Sequence, residues 1–568
     1  MYCPECGTRI DDDAVFCPEC GTRVADDAAH DAALEDAPEA APEAAAMPSV
    51  EALLLTHLPA LADKMGTTVA AVRAALEAFI AGRRAQGIGY TLVDGGEVLT
   101  RDSSWVQWVD FVSRYYQAGL AGQVPRATHL FIVGGDDIVP MPEFSHYLDD
   151  TTDRTIDTDL PFGYPFGGKE VKRTLETGTI FNYDSQYVVG RLPIPEDARL
   201  SYLTNYLERA VALPYVKVRH AYSQCDPHWR LVTCHNVKEL AENGMLKVAA
   251  PAVPSDICYQ GIYLTPEVES QTVARYLTPE TQLAFFNLHG SAAPGVTGFM
   301  GQSVNDASDW RKALLPEDMQ LLVRPNIIVT EACYGARFKG FTTQESMLQS
   351  AFASQGLLYL GSSRIAYGAV DSKFKDKAEI EGSLADVLTQ EFVSSLLQGY
   401  TAGDALCKAR FHLLDNYETG PYEATTLTEF NLYGDPTLQV AIAAAGKAAT
   451  VAKPKRYNPQ KATNNLEAKT MDVVPQRSIL NMVRDAVDSQ LQQIHETVAK
   501  QLYEYWGIQP RKFLGATRLQ YARGTKAIAL HYEADDETAT AKARQLGLTS
   551  RISVVTEEGK IRAVYAAK

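Results

Sequence analysis

A histidine and a cysteine, each at the end of an apolar run, are the residues of this sequence best suited to chemistry. The run Phe285–Leu288 leads to His289-Gly290, and the run that begins at Ile327 leads to Cys333. Such runs indicate strands buried on both faces of a parallel sheet, where ligands bind beyond the carboxyl ends. A thiol nucleophile needs a base, and imidazole titrates near neutrality. The pattern therefore predicts Cys333 as nucleophile and His289 as its base.

The glycine after the histidine fits the same chemistry. Gly290 would let a substrate carbonyl approach, and its N–H with that of Cys333 would supply an oxyanion hole. The alternative for each residue alone is structural, because a single cysteine in an apolar strand is usually a small core residue. Their order at two successive strand ends favours a His-Cys dyad that cleaves peptide bonds.

These blocks resemble those of the caspase-like cysteine peptidases, and further segments are similar to the gingipain-type branch. The further segments are HLFIVGGDDIVP, VVGRLP and NLYGDPTL, at His129–Pro140, Val188–Pro193 and Asn431–Leu438. With the two catalytic blocks they cover residues from about 90 to 442 in the family's order. The resemblance implies an α/β, caspase-like three-layer fold with a mostly parallel central sheet. It also implies an endopeptidase that cuts after Arg or Lys.

Asp226 follows a strand predicted over His220–Gln224. Gingipain-like enzymes carry acidic residues close to this place, so the resemblance implies that Asp226 either orients His289 or lines the substrate pocket. A carboxylate in that pocket would pair with a basic substrate side chain. The alternative is an ordinary Asp-Pro turn.

An acidic loop between Asp149 and Gly168 adds to this expectation. Its field would favour cationic peptides, and its carboxylates are the following: Asp149, Asp150, Asp153, Asp157 and Asp159. Calcium prefers such oxygen ligands, and gingipain-like enzymes often carry it. The spacing is not that of an EF-hand, and a solvated loop is the alternative. A calcium site is therefore not predicted.

The first 24 residues predict a zinc ribbon. Two Cys-Pro-Glu-Cys-Gly knuckles supply four thiolates, at Cys3, Cys6, Cys17 and Cys20. Four cysteines fill a tetrahedral zinc and leave no open position, so the ion is predicted to be structural. A pair of disulfides is the alternative, which an intracellular chain disfavours.

The rest of the chain divides by composition. Residues 25–48 read as an acidic Ala/Pro linker, 49–442 as the peptidase domain, 443–477 as a second linker and 478–568 as a helix with a small α+β accessory unit. Within the peptidase domain, residues 49 to about 122 are predicted to be helical, and the central sheet is predicted to end near Thr437–Val440. The accessory unit would dock to the peptidase domain or to a partner, and a regulatory protein partner would bind through the ribbon or through this unit.

Composition limits the function classes. The 568 residues are 46% hydrophobic with a formal net charge of −17, which disfavours nucleic-acid partners. The start Met1-Tyr2-Cys3-Pro4 is unlike a signal peptide, and no membrane span is apparent, so a cytoplasmic location is expected. The rival interpretation is a non-catalytic protein-binding scaffold on a peptidase-like fold, with recognition by the ribbon.

Overall fold

The computed structural model describes residues 50–148, 153–176, 187–213, 215–246, 261–265, 268–293, 297–303, 306, 308–370, 382–416, 420–442, 489–506, 508, 510, 512–520, 526–533, 551–557 and 560–567. All of these residues fall within one compact unit. The predicted zinc ribbon and both predicted linkers lie outside the described residues.

A ten-stranded sheet forms the centre of the molecule. Its strands in chain order are β1 (Val50–Thr56), β2 (Ile88–Asp94), β3 (His129–Val133), β6 (Val188–Leu192), β8 (Ala221–Cys225), β9 (Ile262–Leu264), β10 (Leu283–Asn287), β14 (Asn326–Thr330), β15 (Gly356–Ser362) and β17 (Phe430–Gly434). Their spatial order is β2-β1-β3-β6-β17-β15-β14-β10-β8-β9. Every neighbouring pair is parallel except β15 with β17.

The apolar strand sequences follow from this arrangement. Every residue of β10 and β14 is buried, as expected for parallel strands covered on both faces. The described part of the chain contains twelve α-helices: α1 (Leu58–Lys64), α2 (Val69–Ala85), α3 (Trp105–Leu120), α4 (Gly168–Glu176), α5 (Leu200–Ala212), α6 (Arg230–Asn236), α7 (Lys238–Glu242), α8 (Met347–Ala353), α9 (Ala385–Leu397), α10 (Ala402–Asn416), α11 (Pro421–Glu429) and α12 (Ser489–Gln501). The predicted α/β fold with a mostly parallel sheet is confirmed.

The helices of the peptidase part fall into two packed groups. Helix α5 packs against α2, α8 and β15, whereas α9 packs against α6 and α10. Within the described residues no single helix has the length and apolarity to cross a membrane, although α1 and α2 together, bent by 111°, meet the criteria of length and composition.

The prediction that residues 49 to about 122 are helical was wrong in two places. Strands β1 and β2 lie there and pair in parallel at one side of the central sheet. Strand β1 reads VEALLLT, whose Glu, Ala and Leu favour helices. Strand pairing and burial outweighed this local preference, because β propensity depends mainly on context.

Smaller sheets complete the peptidase part. Strands β4 (Glu143–Ser145) and β5 (Thr155–Asp157) form a hairpin, and β11 (His289–Gly290), β12 (Phe299–Gln302) and β13 (Trp310–Leu314) form a three-stranded sheet. Strand β7 (Tyr215–Val218) pairs with β18 (Gln439–Ile442). The central sheet therefore ends at β17, before the Gly434-Asp435-Pro436 turn, and not after it as predicted.

A five-stranded sheet joins the C-terminal region to the peptidase part. Its order is β16 (Tyr367–Ala369), β22 (Lys560–Ala567), β21 (Arg551–Glu557), β20 (Lys526–Glu533) and β19 (Lys512–Gln520). Helix α12 packs on this sheet through an apolar cluster that includes Val498, Leu530 and Val554. Strand β16 belongs to the peptidase part, so the C-terminal sheet is continuous with it.

A buried arginine connects three of the segments on which the family resemblance rests. Arg191, from the segment VVGRLP, is fully buried and pairs with both carboxylate oxygens of Asp159 at 2.6 and 2.7 Å. Its Nη1 donates to the carbonyls of Gly134 and Val139, 3.0 and 2.8 Å away. Asn431 accepts a hydrogen bond from the Asp159 N–H at 2.9 Å. The three segments therefore build one polar cluster.

We expect Arg191→Met to lower the free energy of unfolding by roughly 3–5 kcal/mol, because Asp159 would remain buried without its cation. The matched control is Arg101→Met, which breaks the exposed 2.7 Å pair with Asp63 and should cost less than about 1 kcal/mol. Denaturant titration measures both, and equal losses in the two variants would contradict the importance of the Arg191 cluster.

Candidate active site

Three adjacent strands bring the predicted site residues to one edge of the sheet. In the parallel pairing, Phe286 of β10 aligns with Thr330 of β14, and Asn287 aligns with Cys225 of β8. Asp226, His289 and Cys333 follow these aligned positions by one to three residues. The carboxyl ends of parallel strands meet at the same edge, so the register places all three side chains in one region.

Gly290 lies directly against the backbone of Cys333. A Cβ atom at this position would come within 1.6 Å of the Cys333 carbonyl oxygen and 3.2 Å of its nitrogen. Only glycine avoids this clash. The contact joins the segment that carries His289 to the segment that carries Cys333.

The imidazole of His289 is held between two indole rings. Its centroid lies 4.4 Å from the Trp229 ring and 4.8 Å from the Trp310 ring. The residue is 7% exposed. No sequence pattern marks these two tryptophans, because they come from the segment after β8 and from β13, which are distant from His289 in the chain.

Asp226 is fully buried behind the imidazole. Its Oδ2 lies 3.8 Å from His289 Nε2 and accepts a hydrogen bond from the Gln302 N–H at 2.6 Å. Its Oδ1 lies 2.7 Å from His228 Nδ1. Burial alone would raise the pKa of Asp226, but the hydrogen bond and charge of His228, the charge of His289 and the Gln302 N–H together lower it. Asp226 is therefore suited to carry a negative charge beside His289.

Cys333 is 3% exposed, and its Sγ lies 3.6 Å from the carbonyl oxygen of Ala366. The next residue, Tyr334, has a φ of 53°, a backbone conformation that costs energy for a residue with a side chain. Its N–H donates to the Arg364 carbonyl at 2.7 Å. Its hydroxyl donates to Asp153 Oδ1 at 2.6 Å, and burial together with the charge of Asp153 raises the pKa of Tyr334. These bonds hold the sharp turn that follows Cys333.

The described carboxylates of the acidic loop bind groups of the chain itself. Asp153 accepts from Tyr334 and from the Ile365 N–H, and Asp157 pairs with Arg364 at 2.6 Å and with Lys339. Asp159 pairs with Arg191. These cations therefore offset the negative electrostatic field that was predicted to attract cationic peptides. Asp149 and Asp150 lie outside the described residues. Among the described residues, no group of three or more His, Cys, Asp or Glu could hold a metal ion.

An open cleft borders Cys333. The loops that follow His289 and Cys333 line it, including Ser291, Phe299, Tyr334, Arg337 and Glu345. Glu345 is exposed, and its Oε2 accepts hydrogen bonds from the N–H and hydroxyl of Thr342 at 3.0 and 2.8 Å. These bonds lower the pKa of Glu345. Glu345 was not among the predicted site residues, because no sequence motif marks it.

The predicted zinc ligands Cys3, Cys6, Cys17 and Cys20 lie outside the described residues. A zinc-ribbon model nevertheless matches residues 2–24, and the model of peptidase family C25 matches residues 62–441. No curated protein matches the sequence.

Several solved peptidase structures resemble the chain at low identity. The complex of the pro- and mature domains of RgpB from Porphyromonas gingivalis is 11% identical, covering 69% of this chain and 80% of that chain, with a TM-score of 0.45. The Arg-specific cysteine proteinase gingipain R is 11% identical, covering 91% of each chain, with a TM-score of 0.43. A separase–securin complex of Saccharomyces cerevisiae is 13% identical, covering 45% of this chain and 14% of that chain, with a TM-score of 0.26.

Structural similarities this distant do not by themselves show the family or the activity of the chain. The family model, in contrast, spans well over half of the 568 residues and includes both strand ends that carry His289 and Cys333. The chain therefore belongs to peptidase family C25 and is a cysteine peptidase.

Proposed function

We propose that the chain is an endopeptidase in which Cys333 is the nucleophile and His289 the general base. The observation that carries this proposal is the close contact of Gly290 with the Cys333 backbone, at the edge where β10 and β14 end. The two predicted catalytic residues are on segments that touch.

The chemistry follows from these positions. His289 takes the proton of the Cys333 thiol, and the thiolate attacks the carbonyl carbon of the peptide bond. The N–H groups of Gly290 and Cys333 stabilise the oxyanion. The imidazolium then protonates the leaving amine, and water hydrolyses the thioester to return the free thiol. Because Gly290 has no side chain, the substrate carbonyl can come close to both of these N–H groups.

Asp226 acts on His289 in this proposal. An ionised carboxylate 3.8 Å from Nε2 stabilises the imidazolium and fixes the orientation of the ring. Full burial and the hydrogen bond from Gln302 leave it poorly placed to meet a substrate side chain. The orienting role is therefore the better supported of the two predicted roles.

The first test concerns the nucleophile and the base. Cys333→Ala and His289→Ala should each lower kcat/KM by at least about 10³-fold with little change in thermal stability, because the two groups act as one unit. The matched control is Cys407→Ala, at a buried cysteine outside the site. Peptide cleavage assays measure the effect, and substantial turnover by Cys333→Ala would contradict the assignment and favour the scaffold interpretation.

We also propose cleavage after Arg or Lys. Glu345 supports this, since it is an exposed carboxylate in the cleft that borders Cys333. Its pKa is lowered, so it is ionised at neutral pH and can form charge-assisted bonds with a guanidinium or ammonium group. Asp226 is the other candidate, as the sequence analysis proposed.

The second test separates these two carboxylates. Glu345→Gln should lower kcat/KM for Arg and Lys peptides by about tenfold, and leave Leu peptides unchanged, because it removes a charge from the cleft. Asp226→Asn should lower kcat for every peptide by on the order of 10²-fold. It should also move the acidic limb of the pH profile to lower pH, because the imidazolium form of the base loses its counter-ion.

Steady-state kinetics with Arg, Lys, Leu and Asp peptides distinguish the outcomes. A selective loss of Arg and Lys cleavage in Asp226→Asn would make Asp226 the pocket residue. A wild-type preference for Leu or Asp would refute basic specificity altogether.

We further propose one structural zinc ion on Cys3, Cys6, Cys17 and Cys20, supported by the zinc-ribbon match and the two CPxCG knuckles. Four thiolates would close the coordination sphere, so the ion would fold the ribbon and take no part in catalysis. The ribbon and the C-terminal sheet are the proposed contacts for a regulatory protein partner.

The third test is metal analysis of wild type and a Cys3→Ser, Cys6→Ser variant. One zinc per chain should fall to none in the variant, whereas cleavage of short peptides should persist. If chelation abolished peptide cleavage and zinc restored it, the structural role would be wrong.

The cytoplasmic location remains a prediction from the sequence. Cys234 is disulfide-bonded, and such bonds are more typical of oxidising compartments. Cell fractionation with a reporter fused to the chain would decide the location.

A further inference from the structure

Strand β16 begins beside the nucleophile. Ala366, whose carbonyl oxygen lies 3.6 Å from Cys333 Sγ, immediately precedes Tyr367, the first residue of β16. The segment before it is fixed on both sides, since the Ile365 N–H donates to Asp153 and the Arg364 carbonyl accepts from Tyr334. The position of β16 relative to the thiol is therefore well defined.

One edge of β16 is used within the peptidase part. Gly368 forms a bridge with Leu384, and the Ala369 N–H donates to Asp386 Oδ2 at 2.7 Å. The other edge pairs with β22. An extended peptide binds a protein by adding a strand to such an edge, with main-chain hydrogen bonds supplying affinity. Strand β22 therefore occupies the edge of β16, next to Cys333, on which a peptide strand would be added.

The direction of β22 matches that of a substrate. The pairing is antiparallel, so Ala567 aligns with Tyr367, nearest to Cys333, and Tyr565 aligns with Ala369, farther away. The strand thus runs towards the thiol from its amino end to its carboxyl end. The residues of a substrate that precede the cut bond must run the same way, because their last carbonyl is the one attacked.

Side chains hold β22 in this position. The ring centroid of Tyr565 lies 5.0 Å from that of Tyr422, which lies 5.1 Å from that of Tyr367. The Tyr565 hydroxyl donates to Glu423 Oε1 at 3.4 Å. One apolar cluster contains Cys333 together with Tyr565, Ala567 and other residues of the C-terminal sheet. The docked strand therefore helps to bury the nucleophile.

We propose that β22 occupies the place of the substrate residues that precede the cut bond, so that the described structure is a latent form. An extended peptide can be cut only after β22 leaves β16. The inference rests on the proposed role of Cys333 as nucleophile. It adds the requirement that β22 separates from β16 before cleavage. A partner bound to the C-terminal sheet would cause this separation.

The first experiment uses the full-length wild type and hydrogen exchange. Tetrapeptidyl chloromethyl ketones ending in Arg, Lys or Leu are screened for alkylation of Cys333, and the reactive one is compared with iodoacetamide, which has no peptide strand. The peptidyl adduct should lose amide protection at residues 560–567, whereas the iodoacetamide adduct should retain it. Unchanged protection of 560–567 in the peptidyl adduct would overturn the proposal.

The second experiment loosens the anchor. Tyr565→Ala should raise the rate of Cys333 alkylation by the peptidyl ketone about tenfold, if the open form is a minor population in wild type. The matched control is Tyr503→Ala, whose side chain is 62% exposed, and its rate should equal that of wild type. Hydrogen exchange at residues 526–533 reports whether the C-terminal sheet stays folded, and an unchanged alkylation rate in Tyr565→Ala would count against latency.

These outcomes also separate the two proposals. If Cys333 is alkylated and peptides are cut while 560–567 stays protected, only the latency inference fails. If no variant cuts peptides and neither reagent reacts selectively at Cys333, the proposed nucleophile fails and the inference fails with it.

Discussion

The parallel register of β8, β10 and β14 is the constraint on which the site depends. Asp226, His289 and Cys333 come from three strands and share no local sequence. They meet because Asn287 aligns with Cys225 and Phe286 aligns with Thr330. A slip of one residue would turn each side chain to the opposite face of the sheet. Complete burial of β10 and β14 opposes such a slip.

The acidic loop connects strand β6 of the central sheet to this site. Its Asp159 is fixed by Arg191 of β6, and its Asp153 holds both Tyr334 and the Ile365 N–H. Asp157 adds pairs with Arg364 and Lys339. This one loop therefore holds both the turn after Cys333 and the segment that precedes β16. Its hydrogen bonds also stabilise Tyr334 in its unfavourable positive-φ backbone conformation.

The C-terminal sheet adds a third contribution, because its last strand completes the surroundings of Cys333. Main-chain pairing with β16 is insensitive to side-chain identity, so a strand of the chain and a peptide can use the same edge. Under the proposed function, specificity comes from side chains near the thiol, such as Glu345 in the adjoining cleft. Backbone pairing and side-chain selection are thus carried by different parts of the molecule.

The sequence alone determined the α/β fold class and the two apolar strands, because buried parallel strands have continuous apolar runs. It also singled out His289 and Cys333 as the candidate dyad, and the structure brings the segments that carry them into contact. It misread β1 as helix, since Glu, Ala and Leu have helical preference and only pairing with β2 and β3 makes the segment a strand. It left the role of Asp226 open, because the 3.8 Å approach to His289 depends on register. Trp229, Trp310, Glu345 and the docking of β22 were decided by tertiary structure alone, since contacts between residues distant in the chain leave no local pattern.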